Sequence, residues 1–163
     1  MIIFILIVTT TVTALIAGLF YAYSCSVNIG LGKLPDKEYL MAMQSINRAI
    51  LNPVFFASFM GTLIMLPLST VVMYRQPVSN VFILLAIASV VYLIGTFGVT
   101  IFGNVPLNQR LDKFDLNSAN ADAISSERMR FEQKWNGLNT VRTIACIITL
   151  VLVIIACIWH RAD

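Results

Sequence analysis

The chain has 163 residues, 58% of them hydrophobic and only 12% charged, with a formal net charge of +3 and a mean hydropathy of +0.84. Soluble domains carry roughly 25% charged residues, so a water-soluble globule is excluded, and four apolar runs of membrane-crossing length leave no stretch for a separate soluble domain. The small positive excess lies in the connections; without a nucleic-acid-binding motif or aromatic–basic interleaving, it reads as topology signal and contact with membrane lipids, and no nucleic-acid partner is expected.

The first apolar run opens at Met1-Ile2-Ile3-Phe4 without a basic flank and outlasts the apolar stretch of a signal peptide. It is therefore predicted to be a retained span over about residues 2–27, broken by Gly30, Gly32 and Pro35. Between Pro35 and Asn52 the pattern becomes amphipathic. Tyr39, Met43, Ile46 and Ile50 fall on one helical stripe, with Lys37, Gln44, Asn47 and Arg48 off it. That predicts a helix lying on the membrane surface or against the mouth of the bundle.

Asn52-Pro53 opens a second span over about 53–74, with proline tolerated in the first turn. Pro67 is expected to kink it and free a carbonyl near Leu63. A tight connection over 75–80 leads to a third span at about 81–103. The following polar segment carries Ile124, Phe131, Trp135 and Leu138 at helical spacing, which predicts a short helix leading into a fourth span at about 138–159. The expected fold is all-α: one integral-membrane four-helix bundle over 1–163, with an amphipathic helix between spans one and two and a short helix before span four. Gly95, Gly98 and Gly103 on the third span, and Ala14, Ala17 and Gly18 on the first, are expected to admit close backbone approach.

Lys33, Lys37, Arg48, Arg110, Lys113, Arg128, Arg130, Lys134 and Arg142 belong to the first and third connections or their edges, against Arg75 and Arg161 on the other side. The positive-inside rule then places the charged connections in the cytoplasm and both termini outside, in a bacterial-type inner or plasma membrane.

All eight acidic residues lie outside the spans, which argues against a proton relay or ion-coupled pump, where a carboxylate or histidine sits at membrane depth. Cys25, Cys146 and Cys157 form no CxxC, and the sole histidine is His160, so neither a metal site nor a disulfide framework is expected. The spans instead hold uncharged polar groups. Tyr92, Thr96, Thr100, Asn104 and Asn108 follow one another every four residues, Asn139 and Thr143 share a face with Arg142 beside them, and Asn28 and Asn52 come out at the same end. Amides at the edge of hydrocarbon need partners. They read either as helix caps and bundle glue or, with Arg142 and Arg48, as a pocket. A guanidinium fork suits a carboxylate, phenolate or enolate oxygen, and asparagines can hold the same oxyanion. Trp135 reads either as an interfacial anchor or as the wall of a flat-ligand pocket, and Tyr23 either as a belt residue or as a stacking and donor group.

Ala17-Gly18-Leu19-Phe20-Tyr21-Ala22-Tyr23-Ser24, Met43-Gln44-Ser45-Ile46-Asn47-Arg48-Ala49-Ile50-Leu51-Asn52-Pro53, Asn104-Val105-Pro106-Leu107-Asn108 and Trp135-Asn136-Gly137-Leu138-Asn139-Thr140-Val141-Arg142-Thr143 together resemble the anthrone-oxygenase-like family of small four-span membrane proteins. The likeness runs the full length of the chain. It implies oxidation of anthrones to anthraquinones with no cofactor, neither metal nor flavin. The family motifs fall on Asn47, Arg48, Asn52, Asn104, Asn108, Trp135, Asn139 and Arg142. In an enzyme of that type Arg142, with Arg48, would stabilise an oxyanion, and Asn52, Asn104, Asn108 and Asn139 would orient carbonyl and phenols. Trp135 or Tyr23 would stack on the ring, and a tyrosine, a water or spontaneous ionisation would have to serve as the base. The alternative class is a non-catalytic four-span protein that binds a lipid or a quinone-like aromatic, or acts as an assembly partner, with the amphipathic helix as its partner surface.

Overall fold

The computed structural model describes residues 1–74 and 77–160; Arg75, Arg161 and Asp163, weighed above for topology and charge, lie outside the described residues. Among the described residues there are five helices and no strand: α1 (Ile2–Leu31), α2 (Asp36–Ala49), α3 (Pro53–Val72), α4 (Asn80–Asp112) and α5 (Ala121–His160). All but α2 are long and apolar enough to cross a membrane.

Successive long helices pack on one another, and α5 returns to lie against α1, so the bundle is a closed up-and-down ring in the order α1, α3, α4, α5. Short polar caps set the helix starts. The Asn52 side chain accepts from the Phe55 amide at 3.0 Å ahead of Pro53, and the Ser79 hydroxyl accepts from the Phe82 amide at 3.2 Å. Pro67 sits inside α3 without ending it.

Three boundaries differ from the sequence expectation. Helix α1 runs past Val27 and through Gly30 before stopping ahead of Pro35. Helix α4 does not stop at Gly103 but continues through Pro106 to Asp112. A proline removes one amide donor and crowds the carbonyl four residues before it; the wide π-turn at Thr100–Asn104, immediately upstream, opens the backbone where that crowding falls. The short helix expected before the fourth span is present, but it joins that span without a break, so α5 is 40 residues long.

At 1.5 Å per residue, α4 and α5 extend about 50 and 60 Å, well beyond ~30 Å of hydrocarbon. Their overhang carries a second core. The main core runs through the bundle around Phe20, Phe59, Leu66, Leu85, Tyr92, Cys146 and Val153. The second joins Tyr39, Leu40 and Met43 of α2 to Leu111, Ile124, Phe131 and Trp135 on α4 and α5. Helix α2 therefore packs against the bundle mouth rather than lying free on the membrane surface.

It is held there at both ends. Arg128 donates to the carbonyls of Leu34 (2.6 Å) and Gly32 (2.8 Å) and to the carboxylates of Asp36 (3.0 Å) and Glu132 (2.8 Å), and lies 4.6 Å over the Tyr39 ring. Gln44 donates to the carbonyls of Leu111 and Phe114. Burial, aided by the negative charge of Glu132 and opposed by Arg128, pushes the Tyr39 phenol well above its ordinary range, so the ring remains a neutral platform.

The small residues divide. A Cβ on Gly95 would meet the Ala145 Cβ at 2.7 Å and one on Gly103 would meet Leu138 at 2.9 Å, so both let α4 approach α5 closely. On α1 only Ala17 faces the core; Ala14 and Gly18 point outward, and a Cβ added to Gly18 would meet nothing within 4 Å.

Candidate functional site

Where the two cores meet, at the end of the bundle carrying the charged connections, lies a cavity of about 220 Å³. One water needs about 10–15 Å³ of such space, so the cavity has room for a small organic ligand. Its walls include Leu19, Phe20, Ile46, Ile50, Leu51 and Phe55, which are apolar, and Tyr23, Asn47, Arg48, Thr100, Asn104, Asn108, Asp112, Trp135, Asn139 and Arg142.

The helix geometry explains how one face of α4 stays turned inward. In an ideal α-helix an every-fourth-residue row drifts by roughly 40° per step. Two π-helical stretches, Tyr92–Gly98 and Thr100–Asn104, put an extra residue into the turn and take that drift out. Tyr92, Thr96, Thr100 and Asn104 are consequently all buried along one line. A third π-stretch, Tyr23–Val27 on α1, opens with Tyr23 and Ser24 at the same end. Wide turns of this kind cluster at functional sites.

Arg142 is the centre of the arrangement. It is only 5% exposed. One terminal nitrogen donates to Asn139 Oδ1 at 2.9 Å and the other reaches Thr100 Oγ1 at 3.5 Å. Its guanidinium carbon lies 4.4 Å from the Phe20 ring centre and 5.3 Å from that of Trp135. Among the described residues no carboxylate pairs with it, and its Nε has no partner within the protein. A buried cation without a counter-charge costs on the order of several kcal/mol.

Asn139 is fully buried and fully used: its amide nitrogen donates to Ser24 Oγ at 2.9 Å while its oxygen holds Arg142. Ser24 in turn shares a 2.9 Å hydrogen bond with Thr143, whose hydroxyl reaches the carbonyls of Phe20 and Asn139. Asn139 thus positions the guanidinium. Asn104 is 1% exposed; its nitrogen reaches the Trp135 carbonyl at 3.4 Å, and its oxygen has no partner within the protein. Exchanging the two amide atoms would set oxygen against the Trp135 carbonyl oxygen, so the orientation is fixed by that contact. Asn47 brings a third unmatched atom, its amide nitrogen. Trp135 is buried rather than interfacial: its indole N–H donates to Asn108 Oδ1 at 2.8 Å and its ring lies 5.6 Å from that of Tyr23.

Of the nine residues singled out in the sequence, eight line the cavity: Tyr23, Asn47, Arg48, Asn104, Asn108, Trp135, Asn139 and Arg142. Asn52 does not. Its amide is spent on capping α3 and on the Ala49 carbonyl at 2.8 Å. Arg48 lines the mouth but is exposed and paired with Asp112 at 2.5 Å, which leaves Arg142 as the cation of the cavity wall that no carboxylate meets. Asp112 and Phe20 are wall residues that the sequence pattern did not single out. Asp112 extends the spacing of Asn104 and Asn108 by one more step of four; Phe20, an apolar residue in an apolar span, gave no signal.

No curated protein and no solved structure matches the chain. The family model described as anthrone oxygenase matches residues 3–152, nearly the whole length. The chain belongs to the anthrone oxygenase family.

Proposed function

We propose that this protein is a cofactor-independent oxygenase of anthrone type, acting on a flat phenolic or quinone-type substrate in the cavity at the cytoplasmic end of the bundle. The observation that carries the reading is Arg142: a buried guanidinium without a carboxylate, in the wall of a hollow whose other lining is rings, aliphatic side chains, amides and the Arg48–Asp112 pair. Such a cation is worth its desolvation when negative charge develops beside it.

An anthrone supplies that charge. Loss of a proton from its methylene carbon gives an enolate whose oxygen sits against Arg142, with Asn104 and Asn108 orienting the remaining oxygens and Trp135 and Tyr23 flanking the rings. The electron-rich carbon then reduces dioxygen and takes it up as a hydroperoxide, which eliminates water. One oxygen atom remains as the new carbonyl; the other leaves with the two methylene hydrogens. The protein's part is to bind, orient and stabilise the anion.

The second reading, a non-catalytic binder of a lipid or quinone or an assembly partner, rests on the scarcity of bases. Asp112 is the one carboxylate in the cavity wall, and it is held in an exposed ion pair.

Dioxygen uptake by membranes containing the protein, given anthrone-like and hydroquinone-like substrates, separates the two. Uptake above empty membranes that is lost in Arg142→Ala and Asn104→Ala, at equal protein level, supports the oxygenase. Uptake equal to empty membranes across the panel leaves the binder. The cytoplasmic placement follows the positive-inside rule; a cysteine label at Val78 reacting from outside intact cells supports it, and reaction only after lysis reverses it.

A further inference from the structure

The walls of the cavity are closed on most sides. Where α5 meets α1, Asn139 and Thr143 both bond to Ser24. Where α5 meets α4, Trp135 donates to Asn108, Asn104 reaches the Trp135 carbonyl, and Gly103 lies against Leu138. Toward water the second core plugs the way: Leu40, Met43 and Leu111 are wholly buried beneath a cap that Arg128 and Gln44 hold down. Toward the bilayer centre Phe55 stacks on Phe59 at 5.2 Å, and Phe59 on Phe97 at 5.6 Å.

The side between α3 and α4 differs. Tyr92 bonds to the Phe59 carbonyl and Thr70 to Ser89, and among the described residues no hydrogen bond joins these two helices nearer the charged end. Helix α3 gives the cavity a single side chain, Phe55. Leu51, just before α3, and Gln109 of α4 line the cavity and are exposed at once, with Phe55 and Val105 half-buried beside them. Gly103 and Arg110 are the residues of α4 that meet Leu138 and Glu127 of α5. Helical geometry therefore puts Val105 and Gln109 on the side of α4 turned away from α5. The Arg48–Asp112 ion pair joins α2 to α4 at the same rim.

The flanks of this opening are apolar. Val54 and Phe56 on α3, and Ile101 and Phe102 on α4, are all exposed, Val54 and Phe102 to 79% and 84%. With 20 residues, α3 is about 30 Å long, the thickness of the hydrocarbon itself, so its first turn stands at the hydrocarbon edge. Lipid, rather than water, bathes the opening there.

We propose that the cavity takes its ligand sideways from the bilayer, through the opening between the first turn of α3 and α4, and that Leu51, Phe55, Val105 and Gln109 select what enters. The ligand is then an uncharged, flat aromatic dissolved in the membrane. A sulfated, glycosylated or already ionised relative is held back, because it would have to shed its hydration at an apolar threshold before meeting any polar partner inside. This rests on the reading of the cavity as a site for a flat ring system, and adds the form in which that molecule arrives: neutral, with any ionisation following entry.

The test uses the full chain in vesicles of zwitterionic lipid, with Trp159→Phe so that Trp135 in the cavity wall is the remaining indole. Anthraquinone is the probe: it is uncharged, has no methylene hydrogen to lose, and quenches indole emission. Stopped-flow mixing reads loading, and dilution into empty vesicles reads release. Gln109→Phe, which narrows the opening at an exposed position, should slow loading and release together by about tenfold, the signature of a gate and not of a contact in the bound state. Phe55→Ala should speed both. Arg128→Ala, which frees the cap, should change loading by less than about twofold, and anthraquinone-2-sulfonate should load about tenfold more slowly than anthraquinone.

No saturable quenching, equal loading of the two probes, or a Gln109→Phe variant that loads at the wild-type rate would overturn the proposal. So would an Arg128→Ala variant that loads as fast as Phe55→Ala, since the ligand would then come through the cap. Should Phe55→Ala not fold, Gln109→Phe and the two probes decide. Because anthraquinone is not turned over, a gate without dioxygen uptake refutes oxygenation alone, and uptake without a gate refutes the lateral entrance alone.

Discussion

The two ends of this bundle are built from the same kinds of uncharged polar side chains, and they use them in opposite ways. At the end bearing the chain's first residues, Thr9 bonds to Ser69 at 2.7 Å, Thr70 to Ser89 at 3.2 Å and Thr10 to Cys157 at 3.5 Å, and these threonines also return a bond to their own helix. Each of these groups is matched. At the charged end, among the described residues, the buried unmatched atoms gather on Asn47, Asn104, Asn136 and Arg142, and three of these four residues line one cavity. The first arrangement holds helices together; the second stores unmet hydrogen-bonding capacity at a cost to stability. The contrast teaches that polarity inside a membrane bundle marks a site only where it is left unfinished.

The sharpest way to break that contrast is Arg142→Met. It should abolish dioxygen uptake, by about 10²–10³-fold, since a preorganised donor to developing negative charge is lost. At the same time it should raise thermal stability by about 2 kcal/mol, because an uncompensated buried cation is replaced by a thioether of similar reach. Helix melting followed by circular dichroism in detergent checks the second part. A variant that is both inactive and less stable would mean that Arg142 is structural.

In the bundle proper, Gly95→Val should cost about 2 kcal/mol by forcing α4 away from Ala145, whereas Gly18→Ala, with open space around it, should leave the melting temperature unchanged or slightly raised. Smaller still, Asn52→Ala should lower stability by about 1 kcal/mol through the lost cap on α3 while leaving dioxygen uptake intact. Weakened uptake at unchanged stability would return Asn52 to the ligand site. Least of all, Thr9→Val should cost about 0.6 kcal/mol, the usual worth of a hydroxyl contact between membrane helices, with no change in uptake.

Much of this was legible in the sequence because the bilayer imposes such strict rules. Four apolar runs of spanning length, the every-fourth-residue polar row on α4 and the adjacency of Asn139 to Arg142 needed only spacing to interpret. The boundaries were harder. Gly103 and Pro106 carry the local signals of a helix end, yet packing of Gly103 against Leu138 and the wide turn before the proline carry α4 onward. The change from polar to apolar at residue 138 marks a change of surroundings, not of backbone, and so looked like two elements where there is one helix. Pairing was not legible at all. Nothing in the spacing says that Arg48 meets Asp112 while Arg142 meets no acid, or that the amide of Asn52 turns back onto its own helix.

The wide turns of α4 carry a consequence for how this site can be altered. A π-turn is what a helix makes of one surplus residue, so the inward aim of Asn104 depends on the count of residues between Tyr92 and Pro106 and not only on their identity. Adding a single residue to that stretch, beside Phe102 for example, where the widened turns have no room for a further one, would swing everything beyond it by about a quarter turn or more. The wall of the hollow would then face hydrocarbon while the spans stayed intact: a change of register, touching no polar group, would empty the site of its chemistry.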